Sequence, residues 1–262
     1  MLQSILASDF ADFLTNWYGI LLFVLIDVAV ALLIVVVTYR WFFKYFFDWI
    51  FAFCVAVVTS PVWLTVAAAS KAHIIKTNEY ASVLTTRFVA GKNGRTVALH
   101  SFTVTDAIDG NLTKLGKFLK KTGIEKLPAL FDVLTFRTSF VGVKPLSVTD
   151  EKFIAEQDYD RFSARPGYVN PLLTMTDNEA TYEEMFRSDK RYAEKGGFFT
   201  DVRIIFTALV RKIRGESNAL RGEIAEKDYA DVLLERGEIT EEDYAEARAE
   251  EKYASEDEET VE

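Results

Sequence analysis

Two long apolar runs occupy the first third of the chain. Positions 17 to 38 form the first, long enough to cross a bilayer because about 20 helical residues cover the hydrocarbon core. Positions 48 to 70 form the second, 23 residues closed by Lys71 and broken near the middle by Ser60-Pro61. Asp9 and Asp12 precede the first run, with no Lys or Arg, whereas Arg40 and Lys44 follow it. The positive-inside bias therefore predicts a spanning helix with its N-terminus outside and the rest of the chain in the cytoplasm. A secretory leader is not expected, because no basic residue precedes the run and no small-residue cleavage site follows it. Asp27 would be costly facing lipid and is expected to turn toward a partner helix or toward the second apolar segment. The second run has cations at both ends: Arg40 and Lys44 before it, Lys71, His73 and Lys76 after it. With Pro61 lacking a donor in mid-segment, this pattern predicts a re-entrant hairpin bent at Ser60-Pro61 that returns to the face it entered.

Past the membrane segments the periodicity shortens. Val83 to Thr86 and Thr96 to Leu99 flank Gly91-Lys92-Asn93-Gly94-Arg95, a β-hairpin signal. Positions 112 to 121 place Leu112, Leu115, Phe118 and Leu119 on one helical face, with Lys114, Lys117, Lys120 and Lys121 around it. Phe199, Val202, Ile205, Phe206 and Leu209 repeat the pattern beside Arg203, Arg211 and Lys212. Such helices suit a membrane interface, or an ordinary core with a solvated basic side.

Composition narrows the chemistry. One cysteine, Cys54, and two histidines, His73 and His100, leave no disulfide and no Cys- or His-rich metal centre. Residues 215–262 hold 18 acidic and 5 basic side chains, a net of −13; against the total of 39 and 30, the first 214 residues hold 21 and 25, a net of +4. A mildly basic body suits anionic lipid, and nothing in the pattern points to nucleic acid. In the acidic tail, Gly222-Glu223-Ile224-Ala225-Glu226-Lys227-Asp228-Tyr229-Ala230 recurs 15 residues later as Gly237-Glu238-Ile239-Thr240-Glu241-Glu242-Asp243-Tyr244-Ala245. Two short helices joined by a Gly-x-Ile turn are marginal alone, so the repeat predicts packing on a protein partner or self-association.

From Lys44 to about Leu209 the order of motifs resembles the bacterial sugar transferases, monotopic phosphoglycosyl transferases that act on a polyprenyl carrier. Lys44 and Asp48 open the segment, and Ser60-Pro61 matches the family's bend. Gly116 to Thr122, Leu127-Pro128, Val133-Leu134, Ser139, Val141-Gly142 and Pro145-Leu146 follow in order. Arg165-Pro166-Gly167, then Tyr182-Glu183-Glu184, Asp189, Tyr192, Asp201 and Ile204, complete the series. The resemblance implies that a UDP-sugar gives its phosphosugar to the aspartate of an Asp-Glu pair, releasing UMP, and that polyprenyl phosphate then accepts it with magnesium bound at the glutamate. It also implies a place at the bacterial cytoplasmic membrane, and substrate contacts from Arg87, Lys144 and Arg165.

The matches fail at the chemistry. Glu125-Lys126 stands in place of the acidic pair. The extra methylene of Glu125 moves the carboxylate by about 1 Å, a misplacement that can cost ~100-fold. Lys126 near a divalent ion at ~4 Å and an effective dielectric of ~20 is repelled by roughly 8 kcal/mol, so no metal is expected. Ser101-Phe102-Thr103 replaces Lys-Phe-Arg, Lys144 replaces an arginine, the Pro-Gly-Pro element is missing around Asn78, Glu79 and Tyr80, and Asn170-Pro171 replaces Thr-Gly. His100, beside the lost cations, reads as a substitute donor or as a packed histidine. Without the resemblance, Glu125-Lys126 is a helix start with Thr122 and Glu125 as a capping box. Two accounts fit: a catalytically degenerate protein that binds or regulates an active partner, or a metal-independent enzyme with Glu125 as nucleophile and Lys126 in the metal's place. The expected architecture is a membrane-anchored α/β chain: a transmembrane helix (1–39), a re-entrant hairpin (40–76), a mostly helical cytoplasmic domain with a β-hairpin (77–214) and an acidic helical tail (215–262).

Overall fold

The computed structural model describes residues 16–77, 82–106, 110–175, 181–214, 224 and 227–259. Asp9, Asp12, Asn78 to Tyr80, and Gly222, Glu223, Ala225 and Glu226 of the first tail repeat lie outside them. The chain forms two units, 1–44 and 45–262. In the first, α1 (Trp17–Thr38) coincides with the first apolar run, is long and apolar enough to cross a membrane, and carries Asp27 exposed on its surface. A π-helical turn, Tyr39–Phe43, follows it.

The second unit takes in, from Tyr45 on, α2 (Lys44–Thr77), which is helical through Pro61 with no loop at Ser60-Pro61. The expected chain reversal is therefore not built as a turn, and the reason is local. Pro61 has no N–H for the Val57 carbonyl, but the Ser60 hydroxyl donates to that carbonyl at 2.8 Å and keeps it satisfied. Beyond Phe51 the shielded positions of α2 are 52, 55, 56, 59, 62, 63, 66, 67, 70, 73 and 74, a helical stripe, and before it Lys44, Tyr45, Phe47, Asp48 and Ile50 are shielded as well. Asp48 anchors its start on Ser139, both side chains being buried. Ala52 and Val66 enter the main core, and Trp63 meets Phe131 edge-on at 4.6 Å. Phe46, Phe53, Val57, Val58, Pro61 and Leu64 face outward, so the opposite side is apolar and uncovered.

Strands β1 (Leu84–Ala90) and β2 (Thr96–Phe102) pair antiparallel from Leu84↔Phe102 to Ala90↔Thr96, as the hairpin signal predicts. Asn93 (φ 60°) and Gly94 (φ 71°) take the left-handed conformations that the turn requires. Next come α3 (Lys114–Thr122), a 3-10 turn (Ile124–Lys126) and α4 (Ala129–Leu134). A second two-stranded sheet, parallel and not anticipated, joins β3 (Ser139–Val141) to β4 (Gly167–Val169), with α5 (Val148–Lys152) between them. It depends on glycine: a Cβ on Gly142 would lie 2.2 Å from the Arg165 carbonyl, and one on Gly167 would lie 2.0 Å from Gly142 N. Helices α6 (Tyr182–Lys195) and α7 (Phe198–Ile213) close the body.

The tail forms α8 (Tyr229–Arg236) and α9 (Glu241–Glu259), and part of the repeat expected to pack on a partner packs on the body. Ile224 and Val232 belong to one buried cluster with Ala90, Leu146, Phe162, Tyr182 and Met185 of the body. Tyr229 packs between Tyr182 and Phe186, with ring centroids at 5.0 and 4.9 Å. Ala230 N donates to Asp150 at 3.0 Å, and Arg236 pairs with Glu183 at 2.9 Å. The apolar positions of the first copy, Ile224 and Tyr229, thus serve the chain's own core, where a buried Val or Ile side chain is worth about 1.5–3 kcal/mol.

Candidate functional site

Glu125 and Lys126 sit on the 3-10 turn between α3 and α4. Thr113 caps α3 by accepting from Gly116 N at 2.8 Å, and Gly123, left-handed at φ 74°, ends it. The Thr122–Glu125 capping box does not form. Thr122 is still helical, and its hydroxyl donates back to the Phe118 carbonyl at 2.9 Å. Glu125 is half-buried, and its Oε2 is enclosed without a hydrogen-bond partner, an unusual cost for a carboxyl. Burial pushes its pKa above the ordinary glutamate value, while Lys126, Lys120 and Lys212 pull it back. Tyr168 stands within the field of Glu125, its phenol pushed up to about 12 by burial and by that carboxylate. Lys126 itself is exposed. The turn thus carries one shielded carboxyl among three ammonium groups.

The other predicted substrate contacts lie elsewhere. Lys144 follows the parallel sheet; its Nζ lies 5.2 Å from the Tyr182 ring centroid and 3.5 Å from the Ile224 carbonyl of the tail. Burial lowers its pKa to about 8, against the raising effect of Asp150, Asp189 and Asp228. Arg87 on β1 pairs with Asp228 at 3.0 Å. Both cations are therefore engaged by the tail. Arg165 stacks on Tyr45 of α2, 4.3 Å from the ring centroid. Ser60 and Pro61 remain on the outward face of α2.

Several of the matched motif residues turn out to hold the scaffold. Asp189, fully buried, pairs with Arg161 and accepts from the Lys144 backbone N–H at 3.2 Å. The Tyr192 hydroxyl lies 3.0 Å from the Val141 carbonyl and 2.7 Å from the Asp201 carboxylate. One constellation was not anticipated. Asp132 of α4 is buried and accepts from His100 twice, from the backbone N–H at 2.9 Å and at ring Nδ1 at 2.7 Å. Sequence reasoning singled out His100 but not its partner, 32 residues on, and it missed Tyr168 and Lys212 because only tertiary folding brings them to the turn.

A magnesium ion, as the resemblance implies, does not fit these residues. The charged side chains acting on Glu125 are all cationic, and no three His, Cys, Asp or Glu residues among those described converge on a point. Residues 39–215, about two thirds of the chain, match the family model described as bacterial sugar transferase. The chain belongs to that family. Curated sugar transferases similar to it include the galactosyl transferase CpsE of Streptococcus agalactiae serotype III, 33% identical over 103 residues, 38% of this chain and 23% of the relative. The uncharacterized sugar transferase EpsL of Bacillus subtilis is 32% identical over 133 residues, 47% of this chain and 65% of the relative. The undecaprenyl-phosphate galactose phosphotransferase of Salmonella typhimurium is 31% identical over 100 residues, 37% and 21%. The chain thus spans less than two thirds of the length of these sugar transferases.

Proposed function

We propose that this sugar transferase family member acts in bacterial surface-glycan assembly by holding phosphate groups of a nucleotide sugar or a polyprenyl carrier at the Glu125–Lys126 turn, binding them rather than turning them over. The charge at that turn carries the reading. Lys126, Lys120 and Lys212 surround a single shielded carboxyl, a set that attracts phosphate and repels the divalent ion that would offset charge during transfer. In this role the chain works beside an active transferase, which it supplies or regulates. A second reading has one observation in its favour. The unpartnered Oε2 of Glu125 is a carboxylate oxygen held for a partner that the protein does not provide, as a nucleophile toward phosphorus would be.

The same proposal places the chain at the cytoplasmic membrane with its second unit facing the cytoplasm. Helix α1 crosses, and α2 lies along the interface with both of its ends on the cytoplasmic side. A straight crossing by α2 conflicts with its shielded stripe, which reaches from position 52 to position 74. The body packed on that stripe would be drawn into hydrocarbon, where its loops cannot be satisfied. The outward face of α7 adds Phe199, Val202, Phe206, Leu209 and Ile213, all exposed, with Arg203, Arg211 and Lys212 on the same helix.

The test is an assay of purified full-length protein with UDP-sugars and polyprenyl phosphate, with and without a chelator. UDP-sugar binding without UMP release supports the binding role. UMP release that survives chelation and disappears in Glu125→Ala establishes the metal-independent enzyme. Neither binding nor release sinks both readings.

A further inference from the structure

An apolar cavity of about 730 Å³ lies between the second half of α2, the β1–β2 hairpin and α4. Trp63, Ala67 and Phe102 wall it, and Leu64, Leu84 and Phe131, all exposed, form its apolar rim. Polar groups also line it: Lys71 of α2, Arg137 after α4, and the His100–Asp132 pair. Asp132 uses one carboxylate oxygen on the His100 backbone N–H and the other on Nδ1, so the imidazole is fixed. Its Nε2 has no hydrogen-bond partner among the described residues.

We propose that this cavity is a lipid site that holds one chain of an anionic phospholipid of the surrounding bilayer, with its phosphate at Lys71 and Arg137. Charge complementarity selects the head: the lining brings two fixed cations, Lys71 and Arg137, and one carboxylate, Asp132, which His100 engages. The volume falls within the ~300–1,000 Å³ of pockets that enclose a single small ligand, which suits one chain. The occupant is a resident lipid and not the acceptor of phosphosugar transfer, because none of Glu125, Lys120, Lys126, Tyr168 and Lys212 lines the cavity. This inference rests on the membrane placement proposed above and is independent of whether Glu125 is active.

The experiment uses the full chain with Trp17, Trp41 and Trp49 changed to Phe, so that Trp63 alone reports from the cavity wall. The protein is mixed with phosphatidylcholine vesicles carrying chain-brominated phosphatidylglycerol or chain-brominated phosphatidylcholine at equal mole fraction, and flotation with the vesicles is measured first. The expected result is stronger Trp63 quenching by the brominated phosphatidylglycerol. Lys71→Gln or Arg137→Gln should each weaken that preference about fivefold, the effect of one basic side chain at an anionic surface. Lys92→Gln removes an equal charge from the exposed hairpin turn and should leave it unchanged. Absence of flotation would sink the membrane placement and the lipid site together. Flotation with equal quenching by the two lipids, or with both cation variants silent, would overturn the lipid site alone. Displacement of the brominated lipid by equimolar undecaprenyl phosphate would overturn it as well, by making the cavity the acceptor's site.

Discussion

Lys144 offers a quantitative test of how the tail and the body fit together. Its ammonium is buried beside Tyr182 and beneath the tail, and burial outweighs three nearby carboxylates to bring its pKa to about 8 from 10.5. Below pH 8 the residue is charged in both folded and unfolded chains, and the folded state carries the full cost of the buried charge. Between pH 8 and 10.5 the unfolded chain holds a proton that the folded chain has released, so stability should rise with pH in that window. A difference of about 2.5 pH units corresponds to on the order of 3 kcal/mol. Lys144→Met keeps the volume and removes the charge. In chemical denaturation in mild detergent, the variant should be about 1–3 kcal/mol more stable at pH 7, and its advantage should shrink steadily toward pH 10. An advantage that is flat from pH 7 to 10, or that grows, would refute the account of Lys144 as a charge buried at a net cost.

Asp189→Leu should destabilise the second unit by about 3–5 kcal/mol, because it leaves the buried Arg161 guanidinium without its carboxylate and frees the Lys144 backbone; denaturant midpoints measure it. Truncation after residue 214 should lower the melting temperature and expose apolar surface to a dye such as ANS, because Ile224 and Val232 belong to a body cluster. A truncated chain that melts like the full one would restore the tail as a separate module. Glu125→Gln should stabilise at neutral pH and lose that effect as pH falls below the ordinary glutamate value, since burial raises the pKa of the native carboxyl and its ionised form is the costly one; pH-dependent melting of the two proteins checks the sign.

What the sequence made legible was what local pattern determines. An unbroken apolar run fixed the bounds of α1, and Gly91 to Arg95 announced a turn that Asn93 and Gly94 indeed make. Glycines at 142 and 167 stood out as motif, though only the parallel sheet explains them, since each backbone sits where the other's Cβ would be. Ser60-Pro61 was read as a break because Pro61 removes a donor; the hydroxyl next to it supplies another, so the helix goes on. The tail's packing on the body was hidden for a general reason. Its apolar positions declare that something must cover them, but the covering residues, Leu146, Tyr182 and Phe186 among them, are far away in sequence and could equally have been a partner's. The same distance hid the setting of Glu125. Its neighbours Lys120 and Lys126 are adjacent in sequence, whereas Lys212 and Tyr168 arrive from α7 and β4. Nothing local marks Asp132, which meets His100 of β2 only across 32 residues of chain.

The placement of α2 along one side of the membrane underlies the functional proposal and the lipid site, and its topology can be read directly. In a Cys54→Ser background, which removes the chain's one cysteine, single cysteines at Lys44 and at Lys71 can be labelled with an impermeant maleimide in right-side-out and in inverted bacterial membranes. Both positions should react in inverted membranes and resist in right-side-out ones. Labelling of the two positions from opposite sides would show α2 crossing the bilayer and contradict the account.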